Sequence, residues 1–389
     1  MTSITAQPKK RIESIDILRG IIMVIMALDH TRDFFMVQNF DPTDLTKAST
    51  GLFLTRFITH FCAPTFIFLA GTGAFLSLNR GKTKKEASIF LFTRGLWLVL
   101  LELTVIGFGW SFELNFNFFF VQVIWALGIS MMVLSLLIYL PIPVIAAIGL
   151  VMIFGHDMYD KVAPAEFSKT GGIIWQFLHI QGIVELNKNL HVYVLYPLIP
   201  WIGVMAAGYS FGSLFKLDAA QRVKIIFRIG ITAIVLFIII RGINAYGDMH
   251  PWTDQHDLMR DVLSFINVQK YPPSLDYVLL TLGVALVALA ALEHVKNRFT
   301  DIMLVFGRVP FFYYLLHLYL LHGAAVIVQA ILAPEGAAKP NNLPGPAAEG
   351  IPLPGVYAIW LLAIFILYFP CRWYMKYKMT HKQWWLSYL

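Results

Sequence analysis

The stretch Ile15-Asp-Ile-Leu-Arg-Gly-Ile-Ile-Met-Val-Ile-Met-Ala-Leu-Asp-His-Thr-Arg-Asp-Phe-Phe35 decides how the chain is read. About twenty mostly apolar residues can cross the hydrocarbon core of a bilayer as one helix. Yet Arg19 lies near its start, and Asp29 and His30 lie near its end. Eleven positions separate Arg19 from His30. That is three helical turns plus about 20°, so both side chains fall on one side, ~16 Å apart along the axis. Met23 and Met26 occupy the stripe between them. Ionisable groups at such depth are costly and usually face a cavity or a partner. The competing reading is that Arg19 snorkels to the headgroups and His30 caps the helix at the far interface.

Outward from this stretch the composition is that of a membrane protein. Of 389 residues, 58% are hydrophobic and only 14% charged, and the mean hydropathy is +0.67, well above the soluble average. The polar N-terminal segment and the long first apolar run do not read as a cleavable signal peptide. Cys62 and Cys371 lie on segments expected to end on opposite membrane sides, which excludes a disulfide or cysteine metal framework. The net charge of +7 is scattered along short loops, so nucleic acid is not an expected partner.

Apolar spans are expected at 15–35, 52–78, 87–109, 118–139, 142–155, 192–215, 224–242, 274–294, 302–333 and 355–374. Each is long and continuously apolar rather than alternating, so all ten read as helices and the fold as an all-α transmembrane bundle. The expected layout is a tail over 1–14, a membrane domain over 15–374 and a second tail over 375–389. Basic residues occupy alternate connections: Lys9-Lys10-Arg11, Arg80/Lys82/Lys84/Lys85, Lys216/Arg222/Lys224, Lys296/Arg298 and Arg372/Lys376/Lys378/Lys382. The positive-inside rule assigns these sides, and both termini, to the cytoplasm. The opposite side carries the longer connections 36–51, 156–191, 243–273 and 334–354. Two of them hold histidines and acids, among them His156, Asp157, His179, Asp248, His250 and His256. The spacing of His250 and His256 matches no strong metal motif, and no metal is expected. No internal repeat is evident, which disfavours a transporter built from paired halves.

Several spans carry embedded polar groups. Arg56 and His60 lie one turn apart at the depth expected for His30, beside Pro64, which removes a backbone donor. Arg94, with Lys84 and Lys85 before it, and Arg308, beside Gly307 and Pro310, gather with Arg19 near the cytoplasmic face. Such cations would suit a polyanion such as the phosphates of coenzyme A, or they are ordinary positive-inside decoration. His317 is the inward candidate of its span, and His322 falls at the outer interface.

These residues bring a family into view. Arg19-x10-His30 resembles the arginine/lysine-x10-histidine signature of the membrane acyltransferase family 3. The opening Arg11–Gly20 resembles the heparan-alpha-glucosaminide N-acetyltransferase catalytic-domain family. Met26–Phe35, Ala63–Gly71, Tyr196–Met205 and Phe265–Leu275 resemble its bacterial branch. The resemblance implies acyl transfer, acetyl above all, from cytosolic acyl-CoA to a sugar or other hydroxyl or amine acceptor across a bacterial inner membrane. It implies coenzyme A contact for Arg19 and a catalytic role for His30, the latter from the wider acyltransferase motif rather than from the glucosaminide enzymes. Arg94, Arg308, Lys84 and Lys85 join Arg19 as candidate coenzyme A contacts; Asp29, His60 and His317 join His30 as candidate catalytic groups. Membrane lipids and the acceptor are the other expected partners, and a homo-oligomer stays open. A proton-coupled transporter or channel, using the same histidines as a relay, is the alternative.

Overall fold

The computed structural model describes residues 12–36, 40–78, 81–114, 116–332 and 350–388. The basic stretch Lys9–Arg11, Arg80 and most of the 334–354 connection therefore lie outside the described residues.

Helix α1 (Glu13–Phe35) is the quoted stretch, and it is buried around nearly its whole circumference. Asp16, Asp29 and Arg32 are therefore enclosed by protein rather than lipid. A broken second span follows, α2 (Thr50–Thr59) and α3 (Cys62–Leu78). Pro64 explains the break: it has no N–H to offer the carbonyl of His60 four residues back. Tyr277 Oη donates to that carbonyl instead, at 2.7 Å. Next come α4 (Lys84–Leu101), a π-turn over Glu102–Ile106, α5 (Gly107–Ser111), strand β1 (Phe118–Val121), α6 (Val123–Leu137) and α7 (Ile142–Gly155). Helix α8 (Lys169–His179), strands β2 (Gly182–Asn187) and β3 (Leu190–Val194), α9 (Leu198–Phe211) and α10 (Ala219–Ile243) continue the chain. The remainder is α11 (Leu258–Ile266), α12 (Leu275–Leu292), α13 (Arg298–Arg308), α14 (Pro310–Leu332) and α15 (Leu353–Thr380).

Among the described residues eight helical stretches are long and apolar enough to cross a membrane. Helix α6 is apolar but short, and α1 is long but carries buried charge. Together they stand at the ten expected places, and the molecule is an all-α multi-pass bundle. Exposed apolar side chains on α10 (Ile238, Ile239) and α15 (Leu361, Leu362, Phe365) give it a lipid-compatible surface.

Besides the broken second span, three spans differ in detail from the sequence reading. The 118–139 and 192–215 runs begin as strands. Phe118–Val121 pairs in parallel with His191–Val194, and β3 pairs antiparallel with β2, giving the sheet order β1-β3-β2. Aromatic and β-branched residues favour this pleat, and the helices start only after Gln122 and Pro197. The 302–333 run is two helices, because Pro310 cannot donate to Phe306 O and forces Val309 out of helical geometry (φ −132°).

Helix α1 packs against α13, α14, α15, α3, α12 and α2. Its contact with α13 is backbone to backbone. A Cβ on Gly20 would sit 1.9 Å from Met303 O, and one on Gly307 would sit 1.7 Å from Asp16 O. Only glycine permits this approach, and it fixes where Arg19 points.

Candidate active site

A cavity of about 470 Å³ opens beside α1, within the range of small-molecule sites. Five cations from α1, the turn before α4, α4, α13 and α15 line it: Arg19, Lys82, Arg94, Arg308 and Lys378. Met23 and Met26 line it along α1, and Tyr314 of α14 lines it too. Arg19 Nη1 donates to Asp16 Oδ1 at 3.0 Å and to Gly307 O at 3.2 Å. Arg94 lies over the Phe90 ring, with its buried Nε making no hydrogen bond. Arg308 faces Glu13 at 3.6 Å. Lys84 and Lys85 are not on the cavity wall. The Thr83–Glu86 capping box starts α4 here, Lys84 Nζ turns to Tyr139 O at 3.2 Å, and Lys85 is exposed. Lys82, whose ammonium lies 4.2 Å from the centre of the Phe90 ring, takes the place the sequence reading gave them.

Beyond Tyr314, whose ring centre is 6.2 Å from that of His30, lies a histidine pair. His30 Nδ1 and His317 Nε2 are 2.7 Å apart, and the rings stack at 4.9 Å. His317 Nδ1 lies 3.0 Å from Tyr313 O. A carbonyl only accepts, so His317 Nδ1 carries the proton and, in the neutral ring, Nε2 is the acceptor. His30 Nδ1 must then donate to His317, which leaves the lone pair on His30 Nε2. Trp110 closes one side, edge-on at 4.9 Å. His317 is fully buried and His30 half-buried.

Asp29 does not orient His30. Its oxygens accept from Arg56 Nη1 at 2.9 and 2.7 Å, Arg32 Nη2 is 2.6 Å away, and Lys270 Nζ is 4.0 Å away. Among the described residues no hydrogen bond joins Asp29 to the His30 ring. The residue that holds the His30 tautomer is His317, not Asp29. His60 is buried too, but its ring packs on Tyr277 and Phe57 and its Nδ1 has no partner. His322 is tied to Gly109 O at 2.8 Å and stacked on Phe112. Thus the fold unites His30 with His317 and leaves Asp29 and His60 in other surroundings.

Tyr314, Lys82, Lys378 and Arg32 went unselected by sequence reasoning. Periodicity along α14 puts Tyr314 three residues from His317, which was the available signal. The family model described as heparan-alpha-glucosaminide N-acetyltransferase, catalytic, matches residues 11–242. No curated protein matches the chain. The matched region contains Arg19, His30, Asp29, His60 and Arg94, while Arg308 and His317 lie beyond it.

Proposed function

From the premise that the chain belongs to the heparan-alpha-glucosaminide N-acetyltransferase catalytic family, a membrane acetyltransferase family, we infer that it moves an acetyl group from acetyl-CoA to an acceptor across the bilayer. The acceptor is a sugar or another hydroxyl or amine compound on the outer side. The observation that carries this reading is the cavity that joins five cations to the neighbourhood of the His30–His317 pair. Arg19, Arg94, Arg308, Lys82 and Lys378 would take the phosphates of coenzyme A at the cytoplasmic end. The pantetheine arm would follow Met23 and Met26, a conformable thioether track, and bring the thioester past Tyr314 towards His30. The basic connections support a cytoplasmic position for this end and for both termini, in a bacterial inner membrane. Residues 15–374 would form the transferase and the terminal segments cytoplasmic tails.

His30 Nε2 would take the proton of the acceptor hydroxyl or amine as its oxygen or nitrogen attacks the thioester carbonyl. Collapse of the tetrahedral intermediate breaks the C–S bond, and the proton on His30 returns to the departing sulfur. Acetylated acceptor and coenzyme A thiol result. His317 would stabilise the charged His30 by accepting from Nδ1 throughout.

The test uses the full chain in detergent or nanodiscs, with acetyl-CoA binding followed by calorimetry and thiol release followed with amino-sugar and polyol acceptors. His30→Asn should bind acetyl-CoA normally and lose turnover about a hundredfold, the scale of a general base. Turnover of His30→Asn at the wild-type rate, or no acetyl-CoA binding by the wild type, would overturn the reading.

A further inference from the structure

The connection between α7 and β2 holds a second polar cluster that acyl transfer does not use. His156 and Asp160 flank a single 3-10 turn, with His156 directly after the last residue of α7. His179 is the last residue of α8, which returns over that turn. The two rings stand edge to face at 5.7 Å, and His179 Nε2 is 3.0 Å from Asp160 Oδ1. One donor atom from each of His156, Asp160 and His179 lies within 4.8 Å of the other two.

Burial makes this arrangement costly as it stands. His156 is 3% exposed and His179 1%. Both ring nitrogens of His156 and Nδ1 of His179 make no hydrogen bond, although Asp157 Oδ1 approaches His156 Nδ1 at 2.9 Å. Buried polar atoms are ordinarily paired. An imidazole without hydrogen-bond partners, buried beside a second imidazole that meets a carboxylate, is what a divalent cation would satisfy.

The geometry points to a divalent transition-metal site of the zinc type, held by His156, Asp160 and His179. Two imidazoles and one carboxylate form a borderline donor set suited to zinc. No thiolate takes part, since Cys62 and Cys371 are not in the cluster. Zinc bonds of ~2.1 Å require ligand atoms roughly 3.4 Å apart, so side-chain rotations suffice to close the set. Asp157 stands where an outer carboxylate orients a ligand histidine. Its other oxygen accepts from Leu275 N at 2.9 Å. Trp175, tilted against His179 at 4.9 Å and tied to Val162 O, walls one side. A metal here would clip α8, and the sheet that follows it, to the end of α7 and, through Asp157, to the start of α12. The site is independent of the acyl-transfer reading.

The test takes the full chain with an affinity tag free of histidine, strips it with chelator in detergent, and adds zinc ion alone. After gel filtration, metal per chain is measured by mass spectrometry and thermal unfolding is recorded. The expected result is one zinc per chain, a raised Tm on loading, and affinity lowered about tenfold or more by His156→Ala or His179→Ala. His250→Ala, outside the cluster, should load like the wild type. Should the alanine variants fail to give monodisperse protein, the near-isosteric Asp160→Asn decides, with weakened binding expected. Folded wild type that takes up no zinc, or His156→Ala, His179→Ala or Asp160→Asn binding as tightly as the wild type, would overturn the proposal.

Discussion

Two buried arginine clusters in this molecule look alike in composition and differ in how their donors are used. Arg241 of α10 is 1% exposed and its donors are taken. Nε donates to Phe265 O at 3.0 Å, Nη1 to His250 O at 2.9 Å, and Nη2 to Ser264 O and Asn267 O at 3.3 and 2.9 Å. Asp276 and Asp248 stand 3.7 and 3.9 Å off. Arg32 of α1 is as deeply buried, at 2%, yet only Nη2 is engaged, with Asp29 and Asp33 at 2.6 Å each. Its Nε and Nη1 have no hydrogen-bond partner. Arg241 holds the connection after α10 against the bundle and is a structural centre. Arg32 belongs to a surplus of charge, since Arg32, Arg56 and Lys270 face Asp29 and Asp33, one turn or less from His30. A saturated arginine specifies fold; one with donors to spare beside a candidate base is where substrate chemistry is expected.

The largest effect that would break this comparison is on stability. Arg241→Met should cost about 3–5 kcal/mol, because four carbonyls lose their donor and Asp248 and Asp276 lose their counter-charge at once. Arg32→Met should cost clearly less, since Arg56 still neutralises Asp29. Thermal unfolding of both variants in one detergent measures the difference. Equal losses would mean that the two clusters play the same structural part.

Next is the histidine pair. His317→Phe keeps an aromatic ring against His30 but removes the Nε2 acceptor that fixes its tautomer. We expect kcat to fall about thirtyfold, roughly 2 kcal/mol of transition-state stabilisation, with KM for acetyl-CoA unchanged. A rise in KM with kcat intact would show that His317 serves binding instead.

The cavity arginines repeat the contrast on a smaller scale. Arg94 has a buried Nε without a partner, whereas Arg19 is already held by Asp16 and Gly307 O. Arg94→Ala should therefore weaken acetyl-CoA binding about tenfold, near 1.4 kcal/mol, and more than Arg19→Ala does. Calorimetry at low and high salt checks both, since phosphate contacts weaken as salt rises.

What the sequence made legible follows from locality. Length and apolarity marked the places of the spans, and 3.6-residue periodicity put Arg19, Met23, Met26 and His30 on one stripe. Continuous apolarity also hid the strands. Phe118–Val121 and His191–Val194 run straight into helix-forming stretches, so only Gln122 and Pro197 marked the boundary. The His30–His317 contact joins residues 287 positions apart. It depends on how α1 and α14 pack, which no local pattern carries. Lys84 and Lys85 were misplaced for a finer reason: the turn that caps α4 decides which lysine faces the cavity, and it selects Lys82.

The smallest expected effect concerns the carboxylate beside Arg241. Asp248 is buried, and burial pushes its carboxyl above the ordinary range. Hydrogen bonds from Gln269 N, His250 N and Ser274 Oγ, and the Arg241 charge, offset only part of this. A carboxyl whose folded value is raised takes up its proton more readily in the native state than in the unfolded one. Its contribution is therefore fully present below the ordinary aspartate value. It declines as pH rises from there through the raised native value, and is constant above it. Asp248→Asn has no such titration. The Tm of the wild type minus that of Asp248→Asn should fall across this acidic window and then level off. A difference that grows with pH would mean that the hydrogen bonds and Arg241 outweigh burial. Arg241 would then be stabilising a carboxylate as well as gathering carbonyls, and the saturated cluster would owe more to charge than its geometry indicates.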